Sequence, residues 1–416
     1  MLRFARSHAA DKPSLVLLAT VTALVFSALH LVLPALPILM RRFSAAPASV
    51  QLVVTLFLVG IAAGQLLYGP ISDRFGRRPV LIAGLVLFLA GTLLCGAAWS
   101  LPALIAGRVL EAVGACAGLV LGRAILLDVY ERDAAARGLA IILMTMTIAP
   151  GASPTVGAYL LEWFDWRAIF VLLGLLGAAI LGLVVLRLPE THPNRMRFGA
   201  AGIVRSHVTL LRSLEYLAFA LSGACRTAAW FTFAAGAPYV LSELLHQPPS
   251  TYGLMILLPM ASYVLGNGVA ARLAPRVGSF NLVLWGRTFA LAAAVGMVSW
   301  WGVAGLGLWM LFLPMACVAF ADGLSHPAIM AAALSVYPKI TGTASGLLGS
   351  LQMGAAALGT IIVAALPHDS ALGLVALICL FSVLAFGSGI VGVTLAARQQ
   401  VLPDGEAPPM PAATLP

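Results

Sequence analysis

Charged side chains are scarce in this 416-residue chain: 9% of positions are Asp, Glu, Lys or Arg, and acids are the rarer sign, 15 against 24 basic residues. Soluble domains run at roughly a quarter charged, so the polar shell that would hold such a chain in water is missing. Cysteine and histidine are sparse as well, with five of one and seven of the other. Cys95, Cys116, Cys225, Cys317 and Cys379 all fall inside apolar runs without paired spacing, which reads as small packing residues and excludes a disulfide framework. The histidines (His8, His30, His192, His207, His246, His326, His368) are scattered, so neither a metal cluster nor a nucleophile with its base is spelled out. No metal, no cofactor and no enzyme activity is expected, and no polar segment is large enough for a soluble sensor domain.

What is abundant is apolar: 61% of the residues are hydrophobic. They fall in runs of about 20 to 26 residues, each enough to cross roughly 30 Å of hydrocarbon as a helix. Strands are excluded, because in lipid the backbone has to be satisfied within the segment. About twelve runs follow from this length criterion: 14–39, 51–72, 80–99, 102–127, 138–161, 166–187, 214–241, 251–271, 280–301, 306–331, 342–366 and 371–395. The first run follows Arg3, Arg6 and Lys12, yet it is longer than a signal-peptide core and no small-residue cleavage site follows, so it stays as a spanning helix.

Lys and Arg accumulate on the cytoplasmic side of membrane proteins. With the N-terminus inside, cytoplasmic segments hold the basic residues near the start, Arg74, Arg77 and Arg78, Arg132 and Arg137, the cluster from Arg187 to Arg212, Arg272, Arg276, Lys339 and Arg398, while the other side holds Arg41, Arg42 and Arg167. That asymmetry places both termini in the cytoplasm, and the net charge of +9 becomes a topology signal rather than a nucleic-acid site.

The longest connection, 188–213, is rich in Arg and Pro and divides the chain into an N-terminal half, 1–187, and a C-terminal half, 214–395, each with six runs. Gly268, Ala271, Arg272, Arg276 and Gly278 echo the turn Gly69 to Arg78 about half a chain later. Parallel repeats joined by a linker are an expected build for a transporter, with the site between halves near the bilayer midplane. The segment 396–416, with several prolines and alanines, reads as a disordered cytoplasmic tail.

Within the apolar chain a few motifs stand out. The turn GPISDRFGRR sets Asp73, Arg74, Arg77 and Arg78 around Gly69 and Gly76, between the second and third runs. The fourth run, GRVLEAVGACAGLVLGRAILLD, brings Gly114, Gly118 and Gly122 at four-residue spacing, a bare face for a neighbouring helix, and puts Arg108 and Glu111 three apart on one face. Both charges are expensive in a bilayer unless paired or facing a cavity. The fifth run carries APGASPTVGAY, where Pro150, Pro154 and Gly157 bend and thin a helix.

These segments resemble the major facilitator superfamily. GPISDRFGRR is similar to its motif A, G-x-x-x-D-R-x-G-R-R/K; the stretch from Arg108 resembles motif B of drug/proton antiporters, with Glu111 where Gln is usual and Ala112 where Gly is usual; Pro150 to Gly157 resembles motif C, G-P-x-x-G-G, with Ala158 where the second Gly is usual, and read without the family it is a plain kink of a membrane helix. The R-A-x-x-x-D at Arg123 to Asp128, WFDWRAIF from Trp163 to Phe170 and G-T-A-S from Gly342 resemble the Bcr/CflA-like group, chloramphenicol-type exporters included. The resemblance implies an all-α membrane protein of twelve transmembrane helices in two six-helix bundles. It also implies that Asp73 docks at the start of the eleventh helix, near Thr341 and Gly342, and that Arg77 pairs with Asp128, a latch on the cytoplasmic side. Read without the family, the same charges are a solvated stop to translocation.

Where the group commonly carries an acid in the first helix, HLVLPALP puts His30. Either His30 titrates in that role, or Glu111 supplies the carboxylate, or His30 is a neutral residue with one hydrogen bond. In the C-terminal half Arg226 and Asp322 fall near the middle of their runs and are expected to pair, with His326 one turn from Asp322; Asp322 then serves proton or substrate, or is structural only. Trp230, Phe231 and Phe233, close to Arg226, are candidates for a pocket wall, with Arg108 and Arg226 as its polar members. The implied activity is efflux of drugs or antibiotics by proton-coupled antiport across the bacterial inner membrane, by a monomer working through alternating access. The alternative is a proton-coupled symporter or exporter of a small metabolite; motif C argues against symport.

Overall fold

The computed structural model describes residues 13–130, 132–191, 200–366 and 370–401, and every long element in them is a helix. In chain order these are α1 (Leu15–Phe43), α2 (Pro47–Phe75), α3 (Arg77–Gly96), α4 (Leu101–Val129), α5 (Arg132–Trp163), α6 (Arg167–Arg187), α7 (Leu214–Tyr239), α8 (Pro249–Val277), α9 (Ser279–Ala304), α10 (Leu308–Ser335), α11 (Thr341–Ala365) and α12 (Leu372–Val401). The helix starts follow local chemistry: Pro47 and Pro102 sit in first turns, where a missing N–H costs nothing, and the Ser100 and Ser213 hydroxyls accept from the amides of Ala103 and Tyr216. Pro34 and Pro37 break α1 into a 3-10 turn at Leu33–Ala35 before it resumes.

Ten of these helices are long and apolar enough to cross a membrane, or eleven if the pair Val204–Leu211 and Leu214–Leu244, bent by 86°, is taken as one span. The chain is therefore a multi-pass membrane protein. The sequence expectation of twelve spans exceeds this number because α5 is not among the ten and α7 enters only through the bent pair.

The connection 188–213 contains a short helix of its own, Ala200–Leu211, which the apolar runs did not announce. Its Leu210 is buried with Tyr216 and Phe219 of α7. Residues 192–199 of that connection and 402–416 of the expected tail lie outside the described residues, and helix α12 continues through 396–401.

The helices pack in two sets. In one, α4 touches α1, α2 and α3, with α3 against α6 and α1 against α5; in the other, α10 lies against α8 and α9, and α12 and α11 flank α7. The sets meet along α2 with α11 and along α5 with α8. Glycine makes the close approaches possible. Gly114 faces the backbone of Phe88 on α3, whereas Gly118 faces Val21 and Gly122 faces Thr22, both on α1. A four-residue repeat advances about 40° per step around a helix, so one glycine stripe serves two neighbours in turn.

Candidate functional site

Two features organise the polar interior: a charged turn at one end of the helices and a pair of buried ion pairs, one in each set.

The turn between α2 and α3 closes on Arg77, which is 9% exposed. Its Nη1 lies 2.5 Å from Asp73 Oδ1 and donates to Ser72 Oγ, and its Nε donates to Asp128 Oδ2 of α4 at 3.0 Å. The pairing of Arg77 with Asp128 is the one the family resemblance implies. Asp73 forms its ion pair with Arg77, the first residue of α3, and among the described residues no hydrogen bond joins it to Thr341 or Gly342, the Thr341 hydroxyl donating to Pro338 O.

Gly76 takes φ +98, a left-handed conformation that ends α2 and starts α3 in a single residue. The first amides of α3 are then satisfied from far along the chain: Glu190, just past α6, accepts from Arg77 N at 3.0 Å and from Arg78 N at 3.3 Å. Arg78 Nη2 reaches back to Val185 O at 2.9 Å, and Arg74 lies over the ring of Phe75. Gly69 has open space beside it. Nothing in local sequence marked Glu190, since its partners are more than a hundred positions earlier.

Arg108 and Glu111 form the first buried pair, 2.5 Å apart and both 0% exposed. The guanidinium also donates to Ala28 O at 3.1 Å and Val53 O at 3.4 Å and stacks 3.9 Å over the ring of Phe57, while Glu111 accepts from Thr92 Oγ1 at 3.0 Å. Four helices thus converge on one ion pair. A guanidinium with several acceptors and an aromatic face is a setting in which a buried pair can be retained.

In the second set the expected partner of Asp322 is corrected. Asp322 pairs with Arg287 of α9, not with Arg226: Arg287 Nη2 donates to Asp322 Oδ1 at 2.8 Å, and Arg287 Nε donates to Ser325 Oγ at 3.1 Å. Gly286 lets α9 approach Ala321 and Ser325 closely, which brings the adjacent Arg287 within reach. Arg226 instead points its guanidinium at the ring of Tyr263, 5.9 Å from the centroid, and donates to Thr227 Oγ1 at 3.3 Å. Tyr263 OH is 3.0 Å from His326 Nδ1. Arg287, Ser325 and Tyr263 were missed because the register between two helices is not written in either.

His30 is 2% exposed; its Nδ1 is 2.9 Å from Phe26 O and its ring lies 5.6 Å from that of Phe231, across the two sets. Of the three aromatic candidates, Trp230 is partly exposed, Phe231 is buried and Phe233 is fully buried, edge-on to Phe312. Phe233 is therefore a packing residue of α7 and α10.

The Pro150 to Gly157 segment lies where α5 meets both α1 and α8. Gly157 abuts Leu31 O, and Gly253 of α8 abuts Ala158 and Thr155, whose hydroxyl donates to Gly253 O at 2.5 Å. On the other seam Thr55 and Thr360 share a hydroxyl hydrogen bond of 2.8 Å. At the end opposite Arg77, Arg41 pairs with Glu243 at 2.9 Å and Glu162 accepts from Ser250 N at 3.0 Å.

Comparison with known proteins bears on the family and the fold. A family model described as Major Facilitator Superfamily matches residues 16–360. The chain is 28% identical over 344 residues to multidrug resistance protein D of Escherichia coli K12, covering 81% of this chain and 85% of that one. It is 27% identical over 354 residues to a bicyclomycin resistance protein homologue of Haemophilus influenzae (82% and 85% covered), and 27% identical over 395 residues to a chloramphenicol resistance protein of Pseudomonas aeruginosa (93% and 92%). The crystal structure of a bacterial homologue of the human lysosomal transporter Spinster, in an inward-facing and unoccupied conformation, superposes with a TM-score of 0.73 at 16% identity, covering 94% of this chain and 98% of that one.

Proposed function

Since the chain belongs to the Major Facilitator Superfamily, we propose that it is a drug/proton antiporter of the Bcr/CflA-like group, exporting drug-like or antibiotic molecules across the bacterial inner membrane as a monomer. Both termini lie in the cytoplasm, and two six-helix bundles, 1–187 and 214–395, are joined by the linker 188–213. The count of twelve spans includes α5, a 32-residue helix, and α7 with its following turn. Relatives named for resistance to bicyclomycin, chloramphenicol and multiple drugs, matched over four fifths or more of this chain, support the cargo.

One observation carries the mechanism: each set of helices holds one buried arginine–carboxylate pair, Arg108 with Glu111 and Arg287 with Asp322. A carboxylate in a membrane interior exchanges its arginine for a proton at modest cost only when the surroundings change, because either partner alone is expensive there. Protonation therefore biases an equilibrium between two arrangements of the bundles. In this reading the proton entering from outside neutralises Asp322 or Glu111, the bundles rock toward the inward-facing state, and drug leaves as the proton enters. Arg77, held by Asp73 and Asp128, is the cytoplasmic gate, and the pliant Pro150–Gly157 segment lets α5 move on α8. The proton gradient supplies the energy and no cofactor takes part.

The test is expression in an efflux-deficient bacterial host with a panel of amphenicols, bicyclomycin-like compounds, cationic compounds and amphipathic organic acids. A rise in minimum inhibitory concentration for at least one compound, with faster efflux of the labelled drug, is expected. Unchanged susceptibility across the panel together with unchanged drug retention would overturn the assignment.

A further inference from the structure

Three charged side chains lie on packed helices of the second set: Arg226 of α7, Arg287 of α9 and Asp322 of α10. The lone carboxylate is committed to Arg287, whose guanidinium also holds Ser325. Arg226 forms no ion pair among the described residues; its guanidinium donates to Thr227 at 3.3 Å, and its Nε is buried without a partner. His326 adds no negative charge, and its Nε2 is also buried and unpartnered. In the first set Arg108 and Glu111 cancel, while Arg123 faces the sulfur of Met146 at 3.2 Å and no carboxylate among the described residues. The polar interior thus carries more guanidiniums than carboxylates, in a region where an unpaired cation is costly.

Arg226 is also the placed one. It is partly exposed, it lies over the Tyr263 ring, and Trp230 follows four residues later on the same face of α7. A guanidinium over one aromatic ring, with an Nε–H that has no acceptor, matches a planar oxyanion better than any other small group.

We propose that the transported molecule presents an anionic group, a carboxylate or a similar oxyanion, to Arg226 and lays its apolar body against Tyr263 and Trp230. The substrate class is then amphipathic organic acids, with lipophilic cations disfavoured. This rests on the export reading above. It also fits the energetics of export, because an anion leaving a negative interior moves down the membrane potential, in the same electrical sense as an entering proton.

The test uses the purified full chain in detergent and three dansyl probes of matched body: dansylglycine (anion), dansylglycinamide (neutral) and dansylethylenediamine (cation), with binding measured by equilibrium dialysis. Dansylglycine should bind at least about tenfold more tightly than dansylethylenediamine, as removal of one charged hydrogen-bond partner usually costs about that factor. Arg226→Gln should weaken dansylglycine about tenfold while leaving dansylglycinamide unchanged, and Arg226→Lys should recover part of the loss. The unchanged amide reports that the Gln variant is folded, and the Lys variant carries the charge test if it is not. Equal binding of the three probes, preference for the amine, absence of saturable dansylglycine binding, or no effect of either substitution on the carboxylate would overturn the proposal. The two readings fail separately: cells that gain resistance while the probes bind alike keep the efflux function and lose the anion site. Selective carboxylate binding without any exported drug does the reverse.

Discussion

Glu190 closes the first turn of α3 from 113 positions away, its two carboxylate oxygens taking the amides of Arg77 and Arg78. The helix-start residue, Gly76, has no side chain to do this, and a negative group there also meets the positive end of the helix dipole. The end of α6 is thereby tied to the turn that positions Arg77.

Replacing Glu190 by Ala leaves those amides without their partner. The expected cost is about 1 kcal/mol, seen as a lower midpoint in thermal unfolding of the detergent-solubilised protein, and transport should fall because Arg77 loses its backbone anchor. Glu190→Gln, which keeps one acceptor oxygen, should fall in between; identical melting of all three proteins would show that the cap contributes nothing.

Gly76→Ala acts on the same turn by two routes. The residue sits at φ +98, and the new Cβ would come within 2.6 Å of Glu190 Oε2. Strain of about 1–2 kcal/mol is expected from the backbone alone, so this variant should be less stable than Glu190→Ala. Combining Gly76→Ala with Glu190→Ala should cost less than the sum of the two, because the added methyl then has no carboxylate to clash with.

Arg108→Leu strands Glu111 at a fully buried position, with an expected loss of about 3–5 kcal/mol. The double variant Arg108→Leu with Glu111→Leu removes both charges and should recover most of that stability while abolishing any coupling that depends on Glu111. Unfolding by denaturant for stability, and drug-induced proton release for coupling, separate the two effects. If the double variant were as unstable as the single one, the pair would be holding the four helices together rather than merely balancing charge.

Gly157→Val fills the space against Leu31 O where α5 crosses α1. The backbone cannot yield there as a flexible side chain would, so overpacking of about 1–3 kcal/mol is expected, with transport lost more completely than expression. By contrast Arg41→Ala removes an exposed pair with Glu243, side chains 57% and 39% exposed, and should change stability by at most about 1 kcal/mol. Equal damage from both would mean that the α5 crossing has no special tightness.

Much of this protein follows from the chain alone. Scarce charge and repeated apolar runs determine a helical membrane protein, since lipid leaves the backbone no other partner, and GPISDRFGRR gathers Asp73, Arg74, Arg77 and Arg78 around Gly69 and Gly76 in one short turn between two runs. Likewise Arg108 and Glu111, three apart on one helix, are paired by local geometry. What depends on how two helices are set against each other was decided only by the tertiary structure: Asp322 takes Arg287 rather than Arg226, Glu190 caps α3, Phe233 disappears into packing with Phe312, and Asp73 takes Arg77 across the Gly76 turn. Sequence periodicity fixes which residues share a face of one helix, but the rotation and sliding of that face against its neighbour are set by small contacts such as Gly286 on Ser325, which no single helix contains.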